Sequence, residues 1–496
     1  MISSYFLKNS TVRVAAFAMN VGIALVMTPF ITSVLGKTAY GGWALVSSLQ
    51  GYFGLLDLGV MNAVSRHGAA ALGAGDTDKL RRLLSTAFGL NLASCAVAAV
   101  MVEALPALYR LILSDAFDPA VAAPLSVFGG LLLFTLVGKA LQGVLMAHLR
   151  WTVIALVGLV RSVAVAAALY LWLTPDGGLL KVAWISGLGV AAESLVLGAF
   201  CLRRLGLRPR PRDVRWREAR EILGYGLSIL AIGLGDTMRY RTQGFVVGRF
   251  HGLAEVALVS IALQFINYFT NFMLSAFGIM TPYFARLSSR AAHGERVAAF
   301  RDAIRPCVAS ASFVGLSLVF YGDIVIRHWL GPDYGGVHAI LVPFALGAMF
   351  FSAMMPANAL MLGVGRHAES SRWSVVEGAA VLGATLVLTP RYGAAASGWA
   401  YCLVVVVSRL FFVFLVVARE RAFTSTRMLA GMVGMFVAAC LTQTVYFTLV
   451  REVAQRGLVQ TLGCVLGQGL VLVGTFLALA RLTAAGRVAP VGEDHG

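Results

Sequence analysis

The sequence predicts an all-α polytopic membrane protein of about fourteen transmembrane helices, arranged as two pseudo-symmetric six-helix lobes plus a C-terminal helix pair. Three observations predict it. The 496 residues are 59% hydrophobic and 13% charged, with mean hydropathy +0.81, more apolar than a soluble core of this size requires. Apolar stretches of membrane length recur along the whole chain. The short connections between them are alternately rich and poor in Arg.

Windows of about twenty apolar residues place the spans in order. The first, 14–35, follows the basic start Lys8 and Arg13 and is too long for a cleaved signal segment, so it is expected to stay. The second, 40–65, carries Asp57 well inside it. The third, 83–105, follows Asp76, Thr77 and Asp78. This DxD string resembles the metal-binding pair of glycosyltransferases, but its place directly before Lys79 and Arg81 reads more simply as a helix cap. The fourth to sixth, 119–147, 152–174 and 179–201, hold Lys139, Arg161 and Glu193. A basic linker, 203–221, follows this N-terminal lobe of residues 1–202. The C-terminal lobe, 222–418, is expected to hold spans at 222–249, 254–283, 303–326, 336–363, 374–390 and 394–418, and residues 419–496 to hold two more, at 428–450 and 459–480, with a short tail. Pro29, Pro124, Pro282, Pro343 and Pro356 are expected to bend or break their spans.

Lys and Arg in the connections separate into 27 on one side and eight on the other. Cationic loops resist translocation, so both termini are expected on the cytoplasmic side of the membrane. The same asymmetry accounts for the net charge of +17 without nucleic acid as a partner. The linker, with eight Arg from Arg203 to Arg220 beside Pro209, Pro211 and Trp216, reads either as a topology anchor or as a segment lying along an anionic leaflet. The six cysteines stand singly, with no CxxC and no His at ligand spacing, so neither disulfide, metal nor cofactor is expected. An internal repeat supports two lobes: Gly36 to Leu45, an apolar span and a basic loop recur as Arg249 to Leu258, a span and a basic loop, at an offset of about 215 to 220 residues.

Ionisable groups inside spans are costly and mark candidate sites. The basic ones are Lys139, Arg161, Arg239, Arg241 and Arg409; the acidic ones well inside are Asp57, Glu193 and Asp236, with Glu103 and Glu377 near span ends. The cationic excess points to an anionic substrate. At helical spacing Asp236 and Arg239 share a face and Arg241 falls on another, which makes Arg241 the freer phosphate contact. Arg239 either binds ligand or pairs with Asp236, and Arg161 either binds ligand or pairs with Glu193. Lys139 serves as a ligand contact or snorkels to the interface. Gln264, Asn267, Tyr268 and Asn271 form a polar stripe that either meets sugar hydroxyls or joins helices. Asp57 and Asp236 are the candidates for coupling to a proton or monovalent cation.

The run Gly36-Lys37-Thr38-Ala39-Tyr40-Gly41-Gly42-Trp43, then Leu55-Leu56-Asp57-Leu58-Gly59-Val60, and Arg66 with Gly75, Asp76 and Leu80, resembles the N-terminal region of bacterial polysaccharide flippases. These are the O-antigen or Wzx-type repeat-unit translocases of the multidrug/oligosaccharidyl-lipid/polysaccharide exporter superfamily. The resemblance implies a transporter, not an enzyme, that carries an undecaprenyl-diphosphate-linked oligosaccharide outward by alternating access through a cationic cavity, for O-antigen, capsule or exopolysaccharide assembly beside a glycan polymerase and export partners. It implies that the first, second, seventh and eighth spans line the cavity, which leaves Arg409 of the twelfth outside it. Relatives that flip lipid II carry more arginines in the first span, where this chain has only Arg13. The alternatives are a cation-coupled drug or toxin exporter of the same superfamily, against which the basic excess argues, and a membrane glycan polymerase, ligase or non-transporting scaffold. A polymerase or ligase would normally present a larger outer loop or a catalytic carboxylate and His arrangement.

Overall fold

The computed structural model describes residues 2–114, 117–206, 208–278, 280–281, 283–284, 293–363, 365–419 and 426–485. Pro282, Arg286, Arg290, Arg421 and Arg487 lie outside the described residues. The described chain is helical with no strand. Contacts divide it into two compact units, Met1–Ser260 with Ala368–Ser397, and Ile261–His367 with Gly398–Gly496.

The first unit holds α1 (Ile2–Leu56), α2 (Val60–Gly73), α3 (Thr77–Leu113), α4 (Ala122–Ala147), α5 (Trp151–Trp172), α6 (Gly178–Arg204), α7 (Trp216–Asp236), α8 (Gln243–His251) and the start of α9 (Leu253–Phe277). The second holds the rest of α9 with α10 (His293–Leu330), α11 (Gly336–Ala353) and α12 (Met355–Gly363). α13 (His367–Tyr392) belongs almost wholly to the first unit. Most of α14 (Ala395–Arg419), with α15 (Thr426–Ala454) and α16 (Leu458–Ala485), completes the second.

Eleven helices among the described residues are long and apolar enough to cross a membrane, and Ala395–Phe411 is a shorter apolar one. The first of the eleven, Ala15–Leu56, has 42 residues, about twice what a bilayer needs. It contains the first expected span and most of the second, which meet at Gly36 (φ 76°, ψ 168°) without a connecting loop; the rest of the second continues in α2. Among the described residues the fourteen expected segments are mainly helical, the second interrupted between α1 and α2, the seventh between α7 and α8 and the tenth between α11 and α12. Leu111, Leu449, Val459, Leu466 and Leu470 are largely exposed, as lipid-facing side chains must be.

The helix breaks fall at other places than the prolines suggest. Pro29 and Pro343 sit inside continuous helices, and Pro124 lies in the first turn of α4, where its missing N–H has no intrahelical partner to lose. Pro356 does border a break, at Met354 between α11 and α12. A break unmarked by proline separates α1 from α2, where Leu58 (φ 51°) and Gly59 (φ 72°) turn left-handed. Asp57, expected well inside a span, sits at this break.

The repeat is visible in the backbone. Gly252 (φ 81°, ψ 174°) reproduces the Gly36 conformation at the equivalent position before α9. This extended, positive-φ geometry is open to glycine and strained for other residues. The two copies touch: a methyl on Gly41 would fall 1.8 Å from the Leu253 carbonyl oxygen, so only glycine permits this approach.

Candidate functional site

The seventh span is where the intramembrane charges concentrate, and its geometry begins with an irregular turn. Between α7 and α8 the residues Thr237–Arg241 form a π-helical turn, closed by the Thr242 N–H donating to the Thr237 carbonyl at 3.2 Å. Such single-turn bulges insert a residue into the helix and re-aim the side chains around it. Arg239 and Arg241 both lie in the turn and face different surroundings.

Arg239 turns inward and is only 2% exposed. Its Nη1 donates to Glu377 Oε1, and its Nη2 donates to Asp236 Oδ1 and, at 3.2 Å, to Ser374 Oγ. Both Ser374 and Glu377 come from α13, whose buried stripe Ser370, Ser374, Glu377, Val381 and Thr385 recurs at helical spacing. Small residues allow the contact. A Cβ on Gly235 would lie 2.3 Å from Ser374 O, and one on Gly378 would lie 2.6 Å from Gly235 O. Gln243 Nε2 then donates to the Arg239 carbonyl at 3.0 Å. With both carboxylates ionised the triad has a formal charge of −1, so it repels rather than attracts an anion. The structure thus gives the Arg239 guanidinium two carboxylates instead of leaving it for a ligand.

Arg241 turns the other way. Its side chain lies along α1, close enough that a Cβ on Gly51 would meet its Nε at 2.9 Å and its Cγ and Cδ at 3.1 Å. Tyr52 is its electrostatic neighbour, and the guanidinium has no carboxylate partner among the described residues. Gln50 and Gly54, on the same helix, are exposed, as is Arg241. The turn is anchored from α8 by Phe245, whose ring packs edge-on against Tyr52 (5.9 Å) and Tyr109 (4.9 Å). Tyr109 in turn donates to the Leu45 carbonyl at 3.2 Å.

The other expected residues find local partners. Arg161 Nε meets Glu193 Oε2 at 2.9 Å, joining α5 to α6. Lys139 is the opposing charge for Asp57, whose carboxylate is held in the α1–α2 break by the Met61 N–H (3.2 Å) and Asn91 Nδ2 (3.4 Å). Arg409 is buried in the second unit with its guanidinium 4.2 Å from the centre of the Phe351 ring. The α9 stripe belongs to the second unit and bonds along itself: Gln264 Nε2 donates to Tyr268 Oη (2.7 Å), and Asn271 Nδ2 donates to Asn267 O (2.8 Å) and Oδ1 (2.9 Å). Asn267 is exposed, while Ile266, Phe269 and Met273 on the opposite side are buried.

Glu377 and Tyr52 were not among the expected site residues. The Ser370, Ser374, Glu377 spacing along one face of α13 was a readable signal for the first. The small and polar residues Gln50, Gly51 and Gly54 were the signal for a face that accommodates the Arg241 side chain. The DxD string proves to be a cap, with Asp76 Oδ1 accepting from the Lys79 N–H at 2.7 Å. No cluster of metal-ligating side chains occurs among the described residues.

The helix order and breaks define a multi-pass membrane protein with the fold of the MOP superfamily. It superposes on an inward-facing multidrug resistance MATE family transporter of that superfamily with TM-score 0.70 and 15% identity, over 84% of this chain and 99% of the other. The lipid II flippase MurJ, in an inward closed conformation, matches with TM-score 0.70 and 11% identity over 97% of this chain and 100% of the other. A MOP superfamily transporter from Pyrococcus furiosus, described as having a binding pocket of reverse polarity that suggests a different function, matches with TM-score 0.57 and 15% identity over 84% and 97%. The family described as "Polysaccharide biosynthesis protein" matches residues 30–337, and the chain belongs to it. No curated protein sequence matches significantly.

Proposed function

We propose that this chain is a flippase that moves an undecaprenyl-diphosphate-linked oligosaccharide from the cytoplasmic to the outer leaflet of a bacterial inner membrane, with both termini cytoplasmic. Arg241 holds the diphosphate, and alternating access exposes it to the two sides in turn. One observation carries the reading. Of the five intramembrane cations, Arg239 and Arg161 are ion-paired, Lys139 faces Asp57, Arg409 stacks on Phe351, and Arg241 has no carboxylate among the described residues. A guanidinium without a carboxylate partner favours a bidentate oxyanion such as phosphate. Membership of the polysaccharide biosynthesis family supports the glycan, and the likeness in fold to a lipid II flippase supports a lipid-linked one. The alternative, a cation-coupled drug exporter, would be expected to bind its cation with an embedded carboxylate, against which the basic excess argues.

The test is the appearance of lipid-linked glycan at the outer leaflet of cells carrying Arg241→Ala at equal abundance. Loss supports the reading, and unchanged translocation removes Arg241 from it. Coupling to a proton or monovalent cation is assigned to Asp57, because Asp236 is committed to Arg239. Asp57→Asn is expected to abolish any dependence of transport on an imposed ion gradient, and transport that still follows the gradient would remove this assignment.

A further inference from the structure

The Arg-rich segment between α6 and α7 does more in the structure than carry charge. Its carboxylates turn back onto the start of α3: Asp213 Oδ2 lies 3.0 Å from Arg81 Nε, Glu218 Oε1 lies 3.0 Å from Arg82 Nε, and Glu221 Oε2 lies 3.3 Å from Lys79 Nζ. Its backbone is pinned there as well, the Arg210 N–H donating to Ser85 Oγ (3.0 Å) and the Arg215 N–H to Thr86 Oγ1 (3.1 Å), both buried residues. This clip uses every acidic residue of 203–221. It leaves Arg203, Arg204, Arg208, Arg210, Arg212 and Arg220 exposed and without a carboxylate partner among the described residues. Beside them Trp216 is 78% and Val214 43% exposed, and Trp216, Arg217, Arg220 and Glu221 line an open groove of about 480 Å³.

A topology signal needs only the charge of a loop, not its fold. Here the loop is folded into a ledge with its acids turned to the protein and its guanidiniums turned out, at the end of the membrane-length α6 and the start of α7. An exposed indole among guanidiniums at helix ends suits the headgroup layer of a bilayer, where anionic lipid attracts basic side chains. We infer that this ledge is a docking surface for the anionic headgroups of the leaflet it faces. It takes that leaflet to be the cytoplasmic one, which rests on the orientation proposed above.

The test uses the full chain in nanodiscs of phosphatidylcholine with a minor fraction of phosphatidylglycerol, counting lipids retained on release by native mass spectrometry. Phosphatidylglycerol is expected to be retained in preference. Neutralising Arg208→Gln, Arg210→Gln and Arg212→Gln together is expected to weaken that retention by about fivefold per charge, whereas neutralising Lys37, Arg451 and Arg456 leaves it unchanged. Asp213→Asn separates the ledge from simple charge. It opens the clip while making the chain more cationic, so the ledge account expects retention to fall and a charge-only anchor expects it to rise. Equal retention of the two lipids, or a rise with Asp213→Asn, would overturn the inference. Displacement of phosphatidylglycerol by an excess of lipid-linked diphosphate would overturn it in favour of substrate capture. Labelling a single cysteine in the linker from either side of the membrane tests the orientation separately, so that its failure is not mistaken for failure of the lipid preference.

Discussion

Arg239 and Arg241 are two residues apart in one irregular turn and occupy opposite electrostatic situations. The face toward α13 is closed: a buried guanidinium is bonded through its Nη atoms to two carboxylates and a serine hydroxyl, with glycines at Gly235 and Gly378 bringing the helices together. The face toward α1 is open: a guanidinium lies over Gly51 beside Tyr52 with no acid to neutralise it among the described residues. Identical side chains in one turn thus form a structural fastener on one side and the proposed ligand contact on the other. What separates them is whether a neighbouring helix brings a carboxylate.

The largest effect is expected from opening the closed face. Glu377→Ala leaves Arg239 buried with only the half-exposed Asp236, and loss of one member of a buried ion pair costs about 3–5 kcal/mol. The thermal midpoint in detergent and the folded yield should both drop sharply. If Glu377→Ala melts like the native chain, the triad is not the fastener described here. Next comes the open face. Arg241→Ala should leave the melting temperature nearly unchanged, as substitutions away from packed or paired features do, while raising the half-saturating substrate concentration by roughly ten- to a hundredfold, the worth of about 1.5–3 kcal/mol for a hydrogen bond to a charged group. Comparable loss of stability in both variants would erase the distinction between the faces.

Smaller effects sharpen the same comparison. Gly51→Ala places a methyl 2.9 Å from Arg241 Nε. It should displace that side chain and lower transport several-fold with little change in stability. The double change Arg161→Gln with Glu193→Gln removes a partly exposed pair at 2.9 Å and should alter stability by about 0–1 kcal/mol, leaving translocation intact. A loss of translocation there as large as that of Arg241→Ala would mean that Arg161 belongs to the binding site.

Much of this architecture was legible in the sequence. Span length, hydropathy and the alternation of Arg-rich connections specify a polytopic helical protein, because the bilayer imposes length and the loops carry the topology signal. The repeat was legible too, and its two glycines, Gly36 and Gly252, adopt the same backbone conformation. The pairings Arg239 with Asp236 and Arg161 with Glu193 stood as open readings because they are close in sequence or lie on neighbouring spans. Glu377 was invisible as a partner of Arg239, since 138 residues separate them and periodicity along one helix says nothing of what a distant helix brings. The π-helical turn leaves no composition mark, and neither does the left-handed break at Asp57. The clip on the basic linker depends on Ser85 and Thr86, ordinary residues early in α3 whose hydroxyls gain meaning only from the backbone that docks there.

The proposed function rests on the Arg241 guanidinium, which has no carboxylate partner among the described residues, binding a diphosphate. Its most direct measurement is the affinity of the purified chain for a lipid-linked diphosphate oligosaccharide, compared among the native protein, Arg241→Gln and the charge-preserving Arg241→Lys. Binding should weaken at least tenfold in Arg241→Gln and recover in part with lysine, which keeps the charge but not the planar fork. Equal affinity in all three would contradict the account.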